Sequence, residues 1–255
     1  MGTRWVLILC CVVGCLQTQA RAETVKLSTL YWPPYSGQKL AQQGASIAVA
    51  RVAFERMGHQ LEVEFFPWSR AVKVALMPHS EYIGYLPEYF FETSAFVFSN
   101  PIGRGPLGLI ELKEHPISWN HIEDLNRYTL GVVKDYVNTG HLDAMIAKGV
   151  QTVETVNSDE QNIKKVAAGR IDGAVIDVHV FNYLLKQQDL KSLVNRLQMN
   201  RQLLADKQLY VAFNNTEEGR RWRDIFNQGL AQVDVEAIME ELLFGEEEQV
   251  KSSLK

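Results

Sequence analysis

Cysteine is scarce in this sequence of 255 residues, and its few copies are confined to one end. All three, Cys10, Cys11 and Cys15, precede the first predicted strand. If that segment is removed, the remaining chain has no thiol, which excludes disulfides, thiolate catalysis and cysteine metal sites. The six histidines lack metal-ligating spacing, and no G-x-S-x-G, P-loop or dinucleotide fingerprint occurs. We therefore predict no metal site, no cofactor and no enzyme of these classes.

Long hydrophobic runs are also missing, apart from a short one at the amino terminus. Arg4 precedes an apolar run, Trp5–Leu16, that is too short to span a bilayer, and an A-R-A motif ends at Ala22. This pattern predicts a secretory signal peptide over residues 1–22 and a secreted chain of 233 residues, Glu23–Lys255. An alternative is lipid anchoring, because V-V-G-C ending at Cys15 resembles a lipobox. The soluble form is favoured because the A-R-A motif adjoins the first predicted strand.

The sequence has no surplus of positive charge. It contains 26 basic and 30 acidic residues, and removal of residues 1–22 takes away Arg4 and Arg21, which leaves 24 against 30. An acidic chain without a long basic run argues against a nucleic-acid partner and against a polybasic membrane surface. The length allows one large or two modest domains, and we expect a monomer.

What is present is a regular alternation of strand and helix patterns. Val25–Thr29 alternates with period two, Gly44–Met57 has a helical apolar face, Gln60–Phe66 alternates again, and a helix from Trp68 to Met77 follows. This order predicts a parallel α/β beginning. Further predicted strands are Tyr82–Leu86, Ala95–Phe98, Leu107–Leu112, Thr129–Val133, Thr152–Val156, Ile171–Ile176, Leu193–Leu197 and Leu209–Phe213. Further predicted helices are Ile122–Leu125, Leu142–Lys148, 158–169, Val178–Lys186, Thr216–Gln232 and Val235–Phe244, before a charged, frayed tail.

A stiff aromatic loop follows the first predicted strand. It contains Tyr31, Trp32 and Tyr35, and Pro33-Pro34 stops further ladder pairing. In open α/β sheets, ligands bind outside the carboxyl ends of the strands. From these residues alone the loop is equally well explained as a plug for the end of the core.

Three other positions carry candidate binding chemistry. Asp177 directly follows a buried strand, so its carboxylate suits a cation, although it could also cap the helix from Val178. Ser158 and Asp159 begin a helix, where free N–H groups favour an anion, and Gln161 completes a capping-box pattern that explains Ser158 equally well. Arg70 lies at a helix start, which indicates a structural ion pair or an anionic ligand group.

The order and spacing of four strings resemble the type 2 periplasmic solute-binding proteins, in the branch of polar amino-acid binding components of ABC transporters. The strings are L-Y-W-P-P-Y-S-G at 30–37, F-P-W-S-R-A at 66–71, F-S-N-P-I at 98–102 and A-G-R-I-D-G-A-V-I-D at 168–177. The resemblance covers essentially the whole chain after the signal peptide. It implies an α/β fold of two lobes, each a mostly parallel sheet flanked by helices, joined by two crossover strands. The implied bounds are 23–105 plus 206–255 for lobe 1 and 106–205 for lobe 2, with a hinge at Gly103–Pro106.

The resemblance also implies a ligand site in the cleft between the lobes. Trp32 or Tyr35 would form one wall, and Asp177 would receive a ligand ammonium group. One departure matters: the arginine that usually clamps the ligand's α-carboxylate is missing, because Glu92-Thr93 stands where Glu-Arg is common. Arg104 could replace it only if the hinge turned it into the cleft. Tyr85 and its neighbours Tyr89 and Phe90 make this rim aromatic, with loop packing as the alternative.

Three functions are compatible with these residues. The first is a periplasmic binding protein that delivers a small polar solute, amino-acid-like or related, to the permease of an ABC importer. The second is a lyase or dehydratase on the same scaffold, for which Glu81, Glu88, Glu92 or His179 would supply the acid or base. The third is a sensory subunit that presents its closed form to a membrane receptor.

Overall fold

The computed structural model describes residues 22–253, with side chains to residue 244. The predicted signal peptide, with Cys15, therefore lies outside the described residues except for Ala22. Within the described range, no helix combines the length and the apolar character needed to cross a bilayer. The same residues contain no group of three or more His, Cys, Asp or Glu side chains arranged to hold a metal ion.

Strands and helices alternate along most of the chain. The strands are β1 (Thr24–Thr29), β2 (Gln60–Phe65), β3 (Gly84–Tyr89), β4 (Phe96–Phe98), β5 (Gly103–Leu112), β6 (Leu130–Val133), β7 (Val153–Val156), β8 (Gly173–Asp177), β9 (Leu197–Met199) and β10 (Ala205–Asn214). The helices are α1 (Ala45–Arg56), α2 (Trp68–Ala75), α3 (Gly140–Ala147), α4 (Asp159–Ala167), α5 (Val178–Leu185), α6 (Glu217–Leu230) and α7 (Val235–Ser253). A 3₁₀ segment, Ile122–Arg127, replaces the short helix predicted there.

The strands form one continuous mixed sheet of two halves, in the order β2-β1-β3-β10-β5-β8-β6-β7. On one side β1 pairs in parallel with β2 and β3, and on the other β6 pairs in parallel with β7 and β8. We call the first half, with α1, α2, α6 and α7, lobe 1, and the second half, with α3 to α5, lobe 2. The short strands β4 and β9 pair with β10 and β5 respectively.

Two ten-residue strands, β5 and β10, run between the lobes. They pair antiparallel from Ala205↔Leu107 to Leu209↔Gly103. The segment predicted as a hinge, Gly103–Pro106, therefore lies at the crossing, but it is strand and not loop. The predicted lobe boundaries at 105/106 and 205/206 fall inside these two strands and stay a prediction.

The strands at this crossing differ from their predicted bounds, and so does β9, which covers Leu197–Met199 and not the predicted Leu193–Leu197. β5 and β10 each begin four residues before the predicted start, because pairing between segments about one hundred residues apart extends both strands. β3 is also displaced, to Gly84–Tyr89 from the predicted Tyr82–Leu86. The charged tail, predicted to be frayed, continues α7 to Ser253.

Lobe 1 is held together by close packing of α1 against α6. Phe54 of α1 lies 5.1 Å from the ring of Phe226 and 6.2 Å from that of Trp222, measured between centroids. A Cβ atom at Gly229 would lie 1.9 Å from the carbonyl oxygen of Ala53. Only glycine therefore permits this helix approach, which fixes α1 and the aromatic loop before it.

Candidate functional site

A cavity of about 700 Å³ lies between the lobes at the carboxyl ends of several strands. This volume is in the range of small-molecule sites. Lobe 1 contributes the loop after β1 and the segment between β2 and α2. Lobe 2 contributes the loop after β6, the start of α4, and residues along α5 and just after it. The lining residues are Leu30, Tyr31, Trp32, Pro33, Gln38, Lys39, Leu40, Phe65, Phe66, Pro67, Trp68, Tyr136, Asn157, Ser158, Asp159, Glu160, Val180, Tyr183, Leu184 and Gln187.

The aromatic loop forms one wall of this cavity. Backbone bonds from Trp32 N to Ser36 O (2.9 Å) and from Tyr35 N to Trp32 O (3.0 Å) close the loop on itself. The Trp32 ring stacks on Tyr35, with centroids 4.7 Å apart, and meets Tyr89 edge-on at 5.9 Å. Trp32 faces the cavity, whereas Tyr35 is fully buried behind it. Tyr35 therefore plugs the end of the core, whereas Trp32 lines a cavity, and a ligand-binding role for Trp32 stays a prediction.

Asp159, at the start of α4, is the buried carboxyl of the lining. Its side chain is 5% exposed. Burial raises its pKa to about 8, with smaller contributions from Glu160 and Asp177. Trp32 and Tyr136 are donors beside this carboxyl, and they lower its pKa. The Trp32 Nε1 nevertheless reaches no partner with regular hydrogen-bond geometry.

Ser158 precedes α4 as predicted, but the capping box is absent. Its side chain accepts no bond from the first turn of the helix. Gln161 Oε1 instead accepts from the backbone N–H of Asn157 (3.1 Å). Ser158 is among the lining residues of the cavity.

Asp177 is not part of the cavity lining, and both of its carboxyl oxygens accept hydrogen bonds from the protein. Its Oδ1 accepts from the backbone N–H groups of His179 (2.8 Å) and Val180 (3.1 Å), which caps α5. Its Oδ2 accepts from the hydroxyls of Tyr35 (3.2 Å) and Tyr89 (3.3 Å). Burial raises its pKa to about 7, and these four donors oppose the rise. Asp177 thus joins the aromatic loop of lobe 1 to lobe 2.

A third buried carboxyl, Glu88, borders a small inner cavity of about 30 Å³ beside Trp32 and Tyr136. It accepts from the Tyr85 hydroxyl (3.1 Å) and from the backbone N–H of Tyr89 (2.8 Å). Burial raises the pKa of Glu88 to about 8. Tyr85 is therefore a buried partner of Glu88 and not part of the main cavity lining.

A partly buried lysine, Lys207, lies on the crossover strand β10 near this carboxyl. The Lys207 Nζ lies 4.4 Å from the centre of the Tyr89 ring and donates to the carbonyl of Asn138. Burial lowers the pKa of Lys207, and Glu88 opposes that change. Lys207 therefore has protein partners and does not line the main cavity.

The remaining predicted residues lie at the rim or outside the cavity. Tyr31 lines the cavity and is 53% exposed. Arg70 is exposed, outside the lining, with its guanidinium 5.1 Å from the Phe66 ring. Arg104 is also exposed and forms an ion pair with Asp206. Arg104 borders a different cavity, beside α7, so the crossing does not turn it into the cleft.

No other arginine takes the place of the missing clamp in the cavity lining. Thr93 uses its hydroxyl to accept from the backbone N–H of Ala95 (3.0 Å) and does not line the cavity. Lys39 is the one basic residue of the lining, and it is exposed. The carboxylate-binding arrangement that the resemblance implies therefore has no counterpart among the described lining residues.

Several lining residues were missed by the sequence reasoning. Tyr136 follows β6 and Phe66 follows β2, so the rule that found Trp32 at a strand end applies to both. Trp68, interpreted as core, lines the cavity and donates through Nε1 to the carbonyl of Asp135 in lobe 2 (2.9 Å). No comparable local signal marks Lys39 or Tyr183, which reach the cavity only through tertiary packing.

No family model and no curated protein sequence matches this chain. Several solved structures, however, are similar to this chain. A histidine kinase sensor domain with similarity to periplasmic binding proteins is 19% identical, with a TM-score of 0.74 over 88% of this chain and 97% of that one. The GluR0 ligand-binding core from Nostoc punctiforme, in complex with L-glutamate, is 15% identical, with a TM-score of 0.67 over 87% and 98%. An ancestral arginine-binding protein bound to arginine is 14% identical, with a TM-score of 0.68 over 88% and 97%.

These likenesses, with the two-lobed sheet described above, define the class of fold. The chain has the two-lobed fold of the type 2 periplasmic binding proteins. At these identities the likeness establishes the fold, and function must be argued from the site.

Proposed function

We propose that this protein is a periplasmic solute-binding protein that closes its two lobes on a small polar solute. The observation that supports this most directly is the cavity of about 700 Å³, which takes its lining from both lobes. A ligand that touches both lobes stabilises the closed arrangement over an open one. Ligand-binding proteins of the same fold among the structural neighbours support the same role.

Delivery of the solute to the permease of an ABC importer is the primary proposal for its use. A second candidate is ligand sensing for a membrane receptor, favoured by the likeness to a histidine kinase sensor domain. In either case we propose that the chain acts as a monomer after signal-peptide removal. Deletion of the gene separates the two: loss of solute uptake indicates import, and loss of a transcriptional response with intact uptake indicates sensing.

An enzymatic role is a weaker candidate, based on the buried carboxyls. Glu88 and Asp159 both have pKa values raised to about 8, which is the property of a general acid. We propose binding without turnover, because Asp159 also fits a role in ligand recognition and Glu88 lies outside the main cavity, bonded to Tyr85 and Tyr89 of its own strand. NMR of a bound solute after overnight incubation distinguishes the two, since any product would indicate a lyase.

Substitution of Trp32 tests the location of the site. We expect Trp32→Phe to weaken solute binding at least fivefold, because the smaller ring leaves part of the cavity wall uncovered. Trp222→Phe is the matched control, a buried tryptophan that packs on Phe54 in the core of lobe 1. Isothermal titration with a solute found by a thermal-shift screen measures both. Equal effects of the two substitutions would contradict the proposed site.

A further inference from the structure

The charges that line the cavity are acidic, apart from one residue at the rim. Asp159 and Glu160 lie side by side at the start of α4, and both border the cavity. Lys39 is the one basic lining residue, on the exposed part of the loop after β1. The start of α4, predicted from the sequence to favour an anion, therefore already carries two acidic side chains of the protein.

Asp159 has donors around it but no protein cation. Trp32 Nε1 and the Tyr136 hydroxyl are the neighbouring donors, and both favour an ionised carboxylate. Among the described residues, no lysine, arginine or histidine forms an ion pair with Asp159. The buried Trp32 Nε1 does not reach Asp159 with regular hydrogen-bond geometry and has no other partner in the described part of the chain. This environment is arranged to hold a carboxylate whose opposite charge comes from outside the protein.

The rest of the lining is unusually aromatic. Seven aromatic side chains border the cavity: Tyr31, Trp32, Phe65, Phe66, Trp68, Tyr136 and Tyr183. Aromatic faces attract cations, and sets of such faces next to a carboxylate recognise alkylated ammonium groups. The same faces cover hydrocarbon, so they suit the apolar part of an organic cation.

We propose that the solute is a small organic ammonium ion that carries no carboxylate, with its ammonium at Asp159 and Glu160 and its hydrocarbon part on the aromatic wall. This inference rests on the proposed function, since it names the ligand class of the same cavity. It accounts together for the acidic pair, the unpaired buried carboxyl and the lack of an arginine in the lining.

The test compares matched pairs of compounds that differ by one carboxylate. The pairs are 2-phenylethylamine and phenylalanine, putrescine and ornithine, and choline and glycine betaine, in the last of which a carboxylate replaces a hydroxymethyl group. Each compound is titrated calorimetrically into the full chain without its signal peptide. We expect one amine to bind at least tenfold more tightly than its carboxylated partner, because the ammonium bond to Asp159 is retained and the carboxylate, for which the lining offers no arginine, is absent.

The outcomes separate this inference from the proposed function. Tighter binding of a carboxylated partner, sensitive to Trp32→Phe, would overturn the ammonium assignment and leave solute binding intact. Binding of no compound in any pair would overturn the ammonium assignment, and failure of a wider solute screen would then count against solute binding itself. Equal binding of both members of every pair would also overturn it.

Two substitutions with opposite expected effects add a second test. Asp159→Asn should weaken binding of the selected amine at least tenfold, and the fold is retained because the amide removes a buried ionisable group. Lys39→Met should strengthen it about twofold at low salt, because a positive charge at the rim is removed. Asp189→Asn, an exposed position outside the lining, is the matched control. A weaker affinity in Lys39→Met with no change in Asp159→Asn would indicate a carboxylate ligand and overturn the proposal.

Discussion

At the scale of single residues, the contact that matters most is the one between Tyr35 and Asp177. The Tyr35 hydroxyl donates to Asp177 Oδ2 (3.2 Å) and lies 3.0 Å from the carbonyl of Arg104. It therefore links the aromatic loop, the crossover strand β5 and the start of α5. Because Asp177 is only 2% exposed, water cannot readily replace a lost donor.

Removal of this hydroxyl is expected to destabilise the protein. Tyr35→Phe should lower the free energy of unfolding by about 1 kcal/mol, since the hydrogen bond is lost but Tyr89 still donates to Asp177. Tyr210→Phe is the matched control, because that hydroxyl donates to Gln208 at an exposed position (2.7 Å). Urea denaturation at pH 7 measures both, and a smaller loss in Tyr35→Phe than in Tyr210→Phe would contradict the assigned role.

At the scale of secondary-structure elements, β5 and β10 position the two halves of the site. Lobe 1 contributes Tyr89 at the end of β3, lobe 2 contributes Asp177 at the end of β8, and the two side chains meet over Gly105 of β5. A Cβ atom at Gly105 would lie 2.8 Å from both Asp177 Oδ2 and the Tyr89 hydroxyl oxygen. The lack of a side chain at this position thus permits the contact between the lobes.

Two glycine-to-alanine substitutions are expected to affect the free energy of unfolding differently. Gly105→Ala should lower the free energy of unfolding by about 1 to 3 kcal/mol, because the methyl group forces Tyr89 and Asp177 apart. Gly140→Ala at the first position of α3 should be neutral or stabilising, since no atom lies within 4 Å of the added Cβ and alanine favours helix. Thermal and urea unfolding of both variants measures this, and equal stability of the two would show that the crossing tolerates a side chain.

At the scale of the whole molecule, three carboxyls are buried in or beside the cleft. Glu88 and Asp159 have pKa values near 8 and Asp177 has one near 7, in each case chiefly because burial disfavours the charge. In the unfolded chain these groups titrate near their ordinary values of about 4. Between pH 4 and 8 the native protein therefore binds protons that the unfolded chain has released.

Stability without ligand should consequently fall as pH rises. The free energy of unfolding should decrease from about pH 4 to pH 8, because the unfolded chain binds fewer protons than the native protein in that range. Above pH 8 it should become constant. Burial lowers the pKa of His179, so this residue alone would make stability rise with pH below about 6.5. Its contribution is smaller than that of the three carboxyls together. We expect a fall of at least about 1.4 kcal/mol, which corresponds to one pKa unit of one group.

Unfolding in urea across this pH range provides the measurement. Asp159→Asn should flatten the curve, since an amide does not titrate, and the exposed Asp189→Asn should not. Stability that rises between pH 5 and 8 would contradict the raised pKa values.

Much of the fold could be predicted from local pattern. The bounds of β1, α1, β2, β6 and α5 agree with the predicted ones within about two residues, because each element carries its own apolar periodicity. The starts of β5 and β10 could not be predicted, since each depends on its partner strand across the lobes. Among the residues that line the cavity, Trp32 and Asp159 could be predicted as candidates, because one follows the end of a strand and the other begins a helix.

The sequence alone determined the alternation of strands and helices and the aromatic loop at the end of the first strand. It also places Glu92-Thr93 where the resemblance implies an arginine. The tertiary structure decided that Trp32 faces the cavity while Tyr35 is buried behind it, and that Arg104 pairs with Asp206 away from the cleft. It also brought Glu88 of lobe 1 into the same buried region as Asp159 and Asp177 of lobe 2. The reason is physical: burial and charge at this site depend on side chains from both lobes, and only the crossing of β5 with β10 sets their relative placement.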